Sequence, residues 1–350
     1  IKNRDSSLHA NLFDSVRGVQ KAIYSSTTQK ESTDPTTLNA FASNGFSVGS
    51  NIGVNENTKK HIAWCWKAGG APDAGFKPDD AMIDGEAALC SDIAAKAGAS
   101  ITPKAMSVNT ETGFSIVKYT GQGNDNDSIP HGLTKEPDVF IYKKTSVSSS
   151  WMVKLNPKTY SAVSNEDQYL YLNLTNPFGT NTSLTDSSDD EQTILSPNLI
   201  KFTKSGHQND DGVDLIAYCW HSVPGYSAFG SFDGNGSTDG PFVYTGFKPA
   251  FVMTKLYTGS SNADYHSWSI YDNVRITGNP NHSPLYANRS HAEGKRGNTA
   301  GDSGGDILHV DFLSNGFKCR ANGTELNGTS SDKFIYMAFA EQPYEFATSR

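Results

Sequence analysis

The sequence predicts an all-β protein of three tandem, divergent, antiparallel β-sandwich units, of jelly-roll or lectin-like type, with one short helical insertion. Three observations carry that expectation. A block of turn, Gly-Phe, Asn-rich loop and wholly apolar strand recurs along the 350 residues. Short runs rich in Val, Ile, Tyr, Phe and Trp are separated by Asn-Gly, Asp-Gly and Gly-Pro pairs, which suit pleated strands joined by tight turns. Only the stretch 84–97 is rich in helix formers, with Ala88, Leu89, Ile93 and Ala94 close to one face of a 3.6-residue period.

In chain order, the first unit spans residues 1–112. Its Ile1-Lys2-Asn3-Arg4 corresponds to Ile141-Tyr142-Lys143-Lys144 of the second unit, so its opening strand is missing and is expected upstream in a longer parent chain. Asp14-Ser15-Val16-Arg17 matches the Trp151 strand and the third unit's Trp268 to Asp272 with Arg275. The turn Ser43-Asn44-Gly45-Phe46 leads to the closing strand Ile62 to Trp66. The helix 84–97 lies in the connection to the next unit, where packing across the junction is the preferred role over capping or docking a partner.

The second unit, 113–224, opens with Gly113-Phe114-Ser115, continues through His131-Gly132-Leu133 to the strand Asp138 to Lys144, and closes with Leu215 to Trp220. The third, 225–350, opens with Gly225-Tyr226-Ser227, runs through Phe251 to Lys255 and Ser314-Asn315-Gly316-Phe317, and closes with Phe334 to Ala340. The closing strands do not alternate in polarity. Ile216, Tyr218 and Trp220 face one way and Leu215, Ala217 and Cys219 the other, so both faces must be covered, one by the sandwich partner and one by a loop or neighbouring unit.

The formal net charge of -8 and scattered Lys and Arg leave no basic stripe, so nucleic acid is not an expected partner. No run of about 18 apolar residues occurs, so no membrane insertion is expected. Cys65, Cys90, Cys219 and Cys319 are read as free, mostly buried thiols, in keeping with assembly in a reducing cytoplasm.

No catalytic residues are predicted. Gly301-Asp302-Ser303-Gly304-Gly305 matches the pentapeptide around a chymotrypsin-type serine, but no His lies in the context that chemistry needs, and a polar loop is the preferred reading. The acids of 186–191 and 210–214 are read as solvated loop groups rather than a glycosidase pair. His207, His221, His282 and His291 lack mutual ligand spacing, against zinc. No cofactor is expected apart from a weak calcium candidate, in which Asp233, Asn235, Ser237 and Asp239 place oxygens at alternate positions. Asn173, Asn181, Asn235, Asn288, Asn322 and Asn327 sit in Asn-x-Ser/Thr triplets, taken as chance occurrences. Tyr226, Tyr257 and Tyr265 are loop aromatics that could stack on sugars if exposed. The loop from Arg289 to Asp306, with Arg289, His291, Lys295, Arg296 and Asp302, is the candidate receptor-binding surface, because loops diverging on a shared scaffold are where binding concentrates.

Taken together, Lys2-Asn3-Arg4, Leu12 to Gly18, Asn44-Gly45-Phe46, Ala63 to Gly70, Gly113 to Val117, Gly225-Tyr226-Ser227, Gly236 to Phe247 and the terminal Ala340-Glu341-Gln342-Pro343 resemble an uncharacterised repeated β-domain family of marine bacteriophage tail and tail-fibre structural proteins. The resemblance spans essentially the whole chain. It implies a non-enzymatic virion protein, such as a tail fibre or other surface appendage, assembled in the host cytoplasm and contributing to host attachment. Expected partners are other virion proteins and a host-surface glycan or protein, and by analogy with fibres a homo-oligomer, with a trimer the natural form. The alternatives are a polysaccharide-binding or polysaccharide-degrading tailspike or lectin-like protein, and a capsid decoration protein.

Overall fold

The computed structural model describes residues 1–72, 79–160, 168–176, 193–203, 207–258, 266–294 and 310–341. The chain begins with β1 (Lys2–Asn3), β2 (Asn11–Leu12), β3 (Lys21–Tyr24), β4 (Ser32–Thr33), the hairpin β5 (Leu38–Ala42) and β6 (Gly45–Val48), a single helical turn α1 (Ile52–Asn55) and β7 (His61–Ile62). A connecting segment holds β8 (Asp80–Ile83), β9 (Glu86–Leu89), the helix α2 (Cys90–Ala97) and β10 (Ala105–Asn109). Next come β11 (Phe114–Thr120), β12 (Ser128–Pro130), β13 (Val139–Lys144), β14 (Met152–Leu155), β15 (Leu170–Tyr171), β16 (Thr193–Leu195), β17 (Leu199–Phe202) and β18 (Asp214–Trp220). The last set is β19 (Ser227–Asp233), β20 (Phe242–Tyr244), β21 (Pro249–Thr258), β22 (Ser269–Asp272), β23 (Leu285–Tyr286), β24 (Val310–Leu313), β25 (Gly316–Cys319) and β26 (Lys333–Ala340).

The protein is all-β, and one strand order occurs twice. A large sheet runs β15-β14-β13-β18-β11 in one set and β23-β22-β21-β26-β19 in the other, each faced by a three-stranded sheet, β12-β17-β16 or β20-β25-β24. Within each sandwich the apolar side chains that face inward form a core of their own. Leu215, Ala217 and Cys219 of β18 pack with Val117, Phe140 and Ile200, and Tyr336 and Ala338 of β26 with Val252, Phe312 and Phe317.

The opposite faces of the two large sheets meet, and residues 1–72 pack against both. Ile216, Tyr218 and Trp220 join Ile335, Met337 and Phe339 in one cluster with Val16 and Ile23, against which Trp64 and Trp66 also pack. Both faces of β18 and β26 are therefore buried, as the non-alternating sequence predicts, and the outer roof is the neighbouring repeat. The repeats close around one another rather than standing in line.

Three expectations need correction. The helix is shorter than 84–97, because Asp80–Ile83 and Glu86–Leu89 form a hairpin and α2 begins only at Cys90. Gly98 ends it in the left-handed conformation at φ 75°, a conformation that glycine adopts without strain. The pairing is not wholly antiparallel: β8 lies parallel to β10, and together with β9 they extend the second large sheet to eight strands. Last, the alignment of the first unit shifts by one residue. Lys2 lies opposite Ile62 as Lys143 lies opposite Ile216, so Lys2 corresponds to Lys143 and not to Tyr142, which changes the face it presents.

Candidate functional site

Each repeat carries a lysine at the same strand register: Lys2, Lys143 and Lys255, opposite Ile62, Ile216 and Ile335. All three are buried, and each ammonium donates across a junction. Lys143 Nζ reaches Thr28 O at 3.3 Å, Lys255 Nζ reaches Thr175 O at 2.9 Å, and Lys2 Nζ reaches Ser290 O at 2.8 Å. The second repeat thus grips the first, the third grips the second, and the first grips the third. The ring closes. Burial costs these cations their hydration, lowering Lys255 to about 7 and Lys2 and Lys143 to about 8.

A second set of bonds follows the same direction. The indole Nε1–H of Trp151 donates to Tyr24 O at 2.9 Å, that of Trp268 to Tyr171 O at 2.8 Å, and the Ser25 hydroxyl to Ala287 O at 2.6 Å. Each tryptophan is itself held by an asparagine side chain, Asn173 or Asn288, that accepts from its backbone N–H. The first repeat has Ala10 at the tryptophan position, where its carbonyl receives Ser25 N–H as those of Trp151 and Trp268 receive Leu172 and Ala287.

A third set is ionic. Asp14 and Arg17 form a buried pair at 2.5 Å, repeated as Asp272 and Arg275 at 2.5 Å. Burial opposes the charge on Arg17 most strongly of any single cause, but Asp14, Tyr218 and Glu31 together outweigh it and hold the guanidinium above its ordinary pKa. Side chains from the neighbouring closing strands complete each pair: Tyr218 OH donates to Asp14 at 2.7 Å and Trp64 Nε1 to Asp272 at 3.2 Å. At the third junction the corresponding positions are Leu155 and Met337, both in the shared apolar cluster.

Where the repeats converge, a cavity of about 780 Å³ remains. Trp64 and Trp66 line it together with Trp220, Ile141, Met253 and Phe339. It opens past the hairpin β5–β6, whose Phe41 and Phe46 are 41% and 37% exposed.

The family model described as "Domain of unknown function (DUF7483)" matches residues 1–82 and 87–343. The chain belongs to this family. No curated protein and no solved structure matches it. The matched residues of this chain run through all three repeats and include the lysine, tryptophan and Asp–Arg positions that tie them together.

Several of the residues predicted to bind something have partners within the chain. The calcium candidate is not assembled as a ligand set: Asp233 is paired with Lys333 at 2.8 Å, Asp239 with Lys318 at 2.8 Å, and Asn235 exchanges hydrogen bonds with Asn327. Among the described residues no cluster of His, Cys, Asp and Glu could hold a metal ion, and no helix is long and apolar enough to cross a membrane. Arg289 donates to Ser267 at 2.5 Å and His291 lies partly buried nearby, while Lys295, Arg296 and Asp302, like the Gly301 to Gly305 pentapeptide, the acids of 186–191, Asn181 and Tyr265, fall outside the described residues.

Tyr257 is buried, not a loop aromatic, and Tyr226 packs on Phe339. Asp214 lies in β18 and pairs with Lys104 at 2.6 Å, whereas Asp210 is a loop acid that pairs with Lys144 and stays 39% exposed. In the sequence the lysine ring shows only as a Lys recurring in three related strands, and aligning Lys2 with Tyr142 conceals it.

Proposed function

We propose that this chain is a non-enzymatic structural component of a bacteriophage virion, a tail fibre or other surface appendage that contributes to host attachment. The observation that supports this most is the closed ring: the interior lysines, tryptophans and one acid–base pair at each of two junctions serve as fasteners between repeats, giving a rigid mount for divergent loops. A mount of this kind suits attachment, where loops do the recognising and the scaffold holds them in register. Other virion proteins and a host-surface glycan or protein are its partners in this reading, with a homotrimer as the assembled form.

Two measurements test it. Antibody raised against the chain, imaged with gold on purified particles, should decorate a tail appendage. Decoration of the head instead would favour a capsid decoration protein, and no decoration would remove the virion role. Purified protein pre-incubated with host cells should reduce particle adsorption. A fall in the size of host capsule or lipopolysaccharide on incubation with the protein would replace the non-enzymatic reading with that of a polysaccharide-degrading tailspike.

A further inference from the structure

The second and third sandwiches differ on the outer face of their three-stranded sheets. In the second, Ser128 and Pro130 of β12 lie opposite Lys201 and Leu199 and are buried. Ser128 is roofed by the segment after α2, where Ser100 N–H donates to Ser128 Oγ at 3.2 Å and Ile101 N–H to Ser128 O at 2.9 Å. Residues 221–226 join β18 directly to β19, leaving no room for such a segment before the third sandwich. At the equivalent register of β20, opposite Lys318 and Gly316, stand Phe242 and Tyr244, 44% and 67% exposed. Where the roof is absent the side chains are thus larger and more apolar, the reverse of what contact with water alone favours. Adjacent exposed aromatics rimmed by polar groups mark a binding surface.

We propose that the outer face of the β20-β25-β24 sheet binds an uncharged host-surface glycan, whose sugar rings stack on Phe242 and Tyr244. Two rows of residues cross that face: Tyr244, Gly316 and Leu313 form one, and Phe242, Lys318 and Asp311 the other. Glycines make room for both rings. A Cβ on Gly316 would lie 3.0 Å from Cε2 and Cζ of Phe242, so that ring rests against the glycine, and Gly246, left-handed at φ 83°, lies beside the ring of Tyr244. Two residues apart on one side of a strand, the aromatic positions are separated by about 7 Å, within the span of a short oligosaccharide. Sugar C–H groups, which carry partial positive charge, meet the negative faces of the rings, and the hydroxyls turn to the polar groups alongside. Those groups are already held in place: Asp239 accepts from Lys318 at 2.8 Å and from Arg320 at 3.4 Å, and Arg320 pairs with Asp311 at 2.5 Å. The charges of Lys318 and Arg320 cancel those of Asp239 and Asp311, so the face offers donors and acceptors without net charge and suits a neutral glycan better than an acidic one. The assignment deepens the attachment role proposed above and rests on it, but binding is read on purified protein, so its failure and a failure to decorate particles are seen separately.

The test titrates the whole 350-residue protein with the neutral hexasaccharides cellohexaose, laminarihexaose, maltohexaose, mannohexaose and chitohexaose, followed by calorimetry. At least one should bind with one-to-one stoichiometry. Tyr244→Ala, at a position too exposed for folding to depend on it, should weaken that binding at least ten-fold with Tm unchanged. Val147→Ala, which trims a 41% exposed side chain of the second repeat, should leave the affinity as it is. A heparin hexasaccharide, which is strongly acidic, should bind no better than the neutral probes. No binding of any neutral probe at millimolar concentration, binding that Tyr244→Ala leaves intact, or a preference for the heparin probe would overturn the proposal.

Discussion

The indole nitrogen of Trp268 donates to the carbonyl oxygen of Tyr171 at 2.8 Å, and Trp151 makes the same bond to Tyr24 at 2.9 Å one repeat earlier. Both rings are buried in the cluster that the repeats share. Trp268→Ala should lower stability by about 3–5 kcal/mol, the usual cost of removing a buried aromatic side chain. Because the junction bonds close a ring, the loss should appear as a downward shift of one calorimetric transition. Splitting into a low and an unshifted transition would show that the repeats unfold independently.

Arg17 and Lys158 stand at equivalent positions after β2 and β14, but Arg17 is buried with Asp14 whereas Lys158, paired with Glu136, is 76% exposed. Asp14→Asn removes the carboxylate nearest to Arg17 in a dry site and leaves Glu31 at 3.3 Å, and breaking one partner of a buried pair costs about 3–5 kcal/mol. Lys158→Ala, whose side chain is 76% exposed, should change stability by less than about 1 kcal/mol. Urea denaturation of the two variants measures the contrast, and equal losses would contradict it.

Lys255, lowered by burial to about 7, binds a proton less readily in the folded state than in the unfolded one. Between about pH 7 and the ordinary lysine range the unfolded chain therefore holds more protons, so stability should rise with pH across that window. Lys2 and Lys143, lowered to about 8, act in the same direction. Lys255→Met removes the titrating group at similar volume. The slope of Tm against pH from 7 to 9.5 should be shallower in the variant, and an unchanged slope would count against the lysine ring as its source.

On the acid side, His131 is buried and lowered to about 4. Its Nδ1 accepts from Leu133 N–H at 3.1 Å and its Nε2 lies 3.0 Å from Ser196 O, an arrangement that fits the neutral ring with the proton on Nε2. His266 is lowered to about 4 by burial as well. Protonation of the unfolded chain should therefore erode stability as pH falls from about 6.5 to 4. Guanidinium midpoints measured across this range should decline in the wild type and decline less in His131→Gln.

Of the four cysteines only Cys65 is exposed, while Cys90, Cys219 and Cys319 are buried free thiols. Burial raises Cys90 and Cys219 to about 12, leaving almost no thiolate at neutral pH. Iodoacetamide at pH 7.5 should add one carbamidomethyl group to the native protein and four after denaturation. Rapid modification of a second thiol in the native state would contradict the placement of the three.

Much of the fold is legible in the sequence because strand composition, turn pairs and the apolar closing strands repeat visibly. Ile216-Ala217-Tyr218-Cys219-Trp220 announces two covered faces by failing to alternate. What covers the second face is not legible, since the contact from Trp151 to Tyr24 crosses 127 residues and leaves no local pattern. Glu86 to Leu89 has helix-forming composition, which extends the predicted helix over it, and it takes a strand through its pairing with Asp80–Ile83. At the candidate site, Asp233 and Asp239 have ligand-like spacing, but Lys333, Lys318 and Arg320 arrive from distant strands to claim them.

The bond between Lys2 and Ser290 spans 288 residues of chain. During synthesis the earliest repeat must wait, with its gripping lysine and its share of the common apolar cluster unmet, until the last has left the ribosome. For that interval the nascent polypeptide is an open arc with a greasy inner surface, vulnerable to association with other arcs at high expression. Completion of the third repeat therefore acts as a clasp, and slow or stalled synthesis of that repeat should harm yield far more than equally slow synthesis of the first.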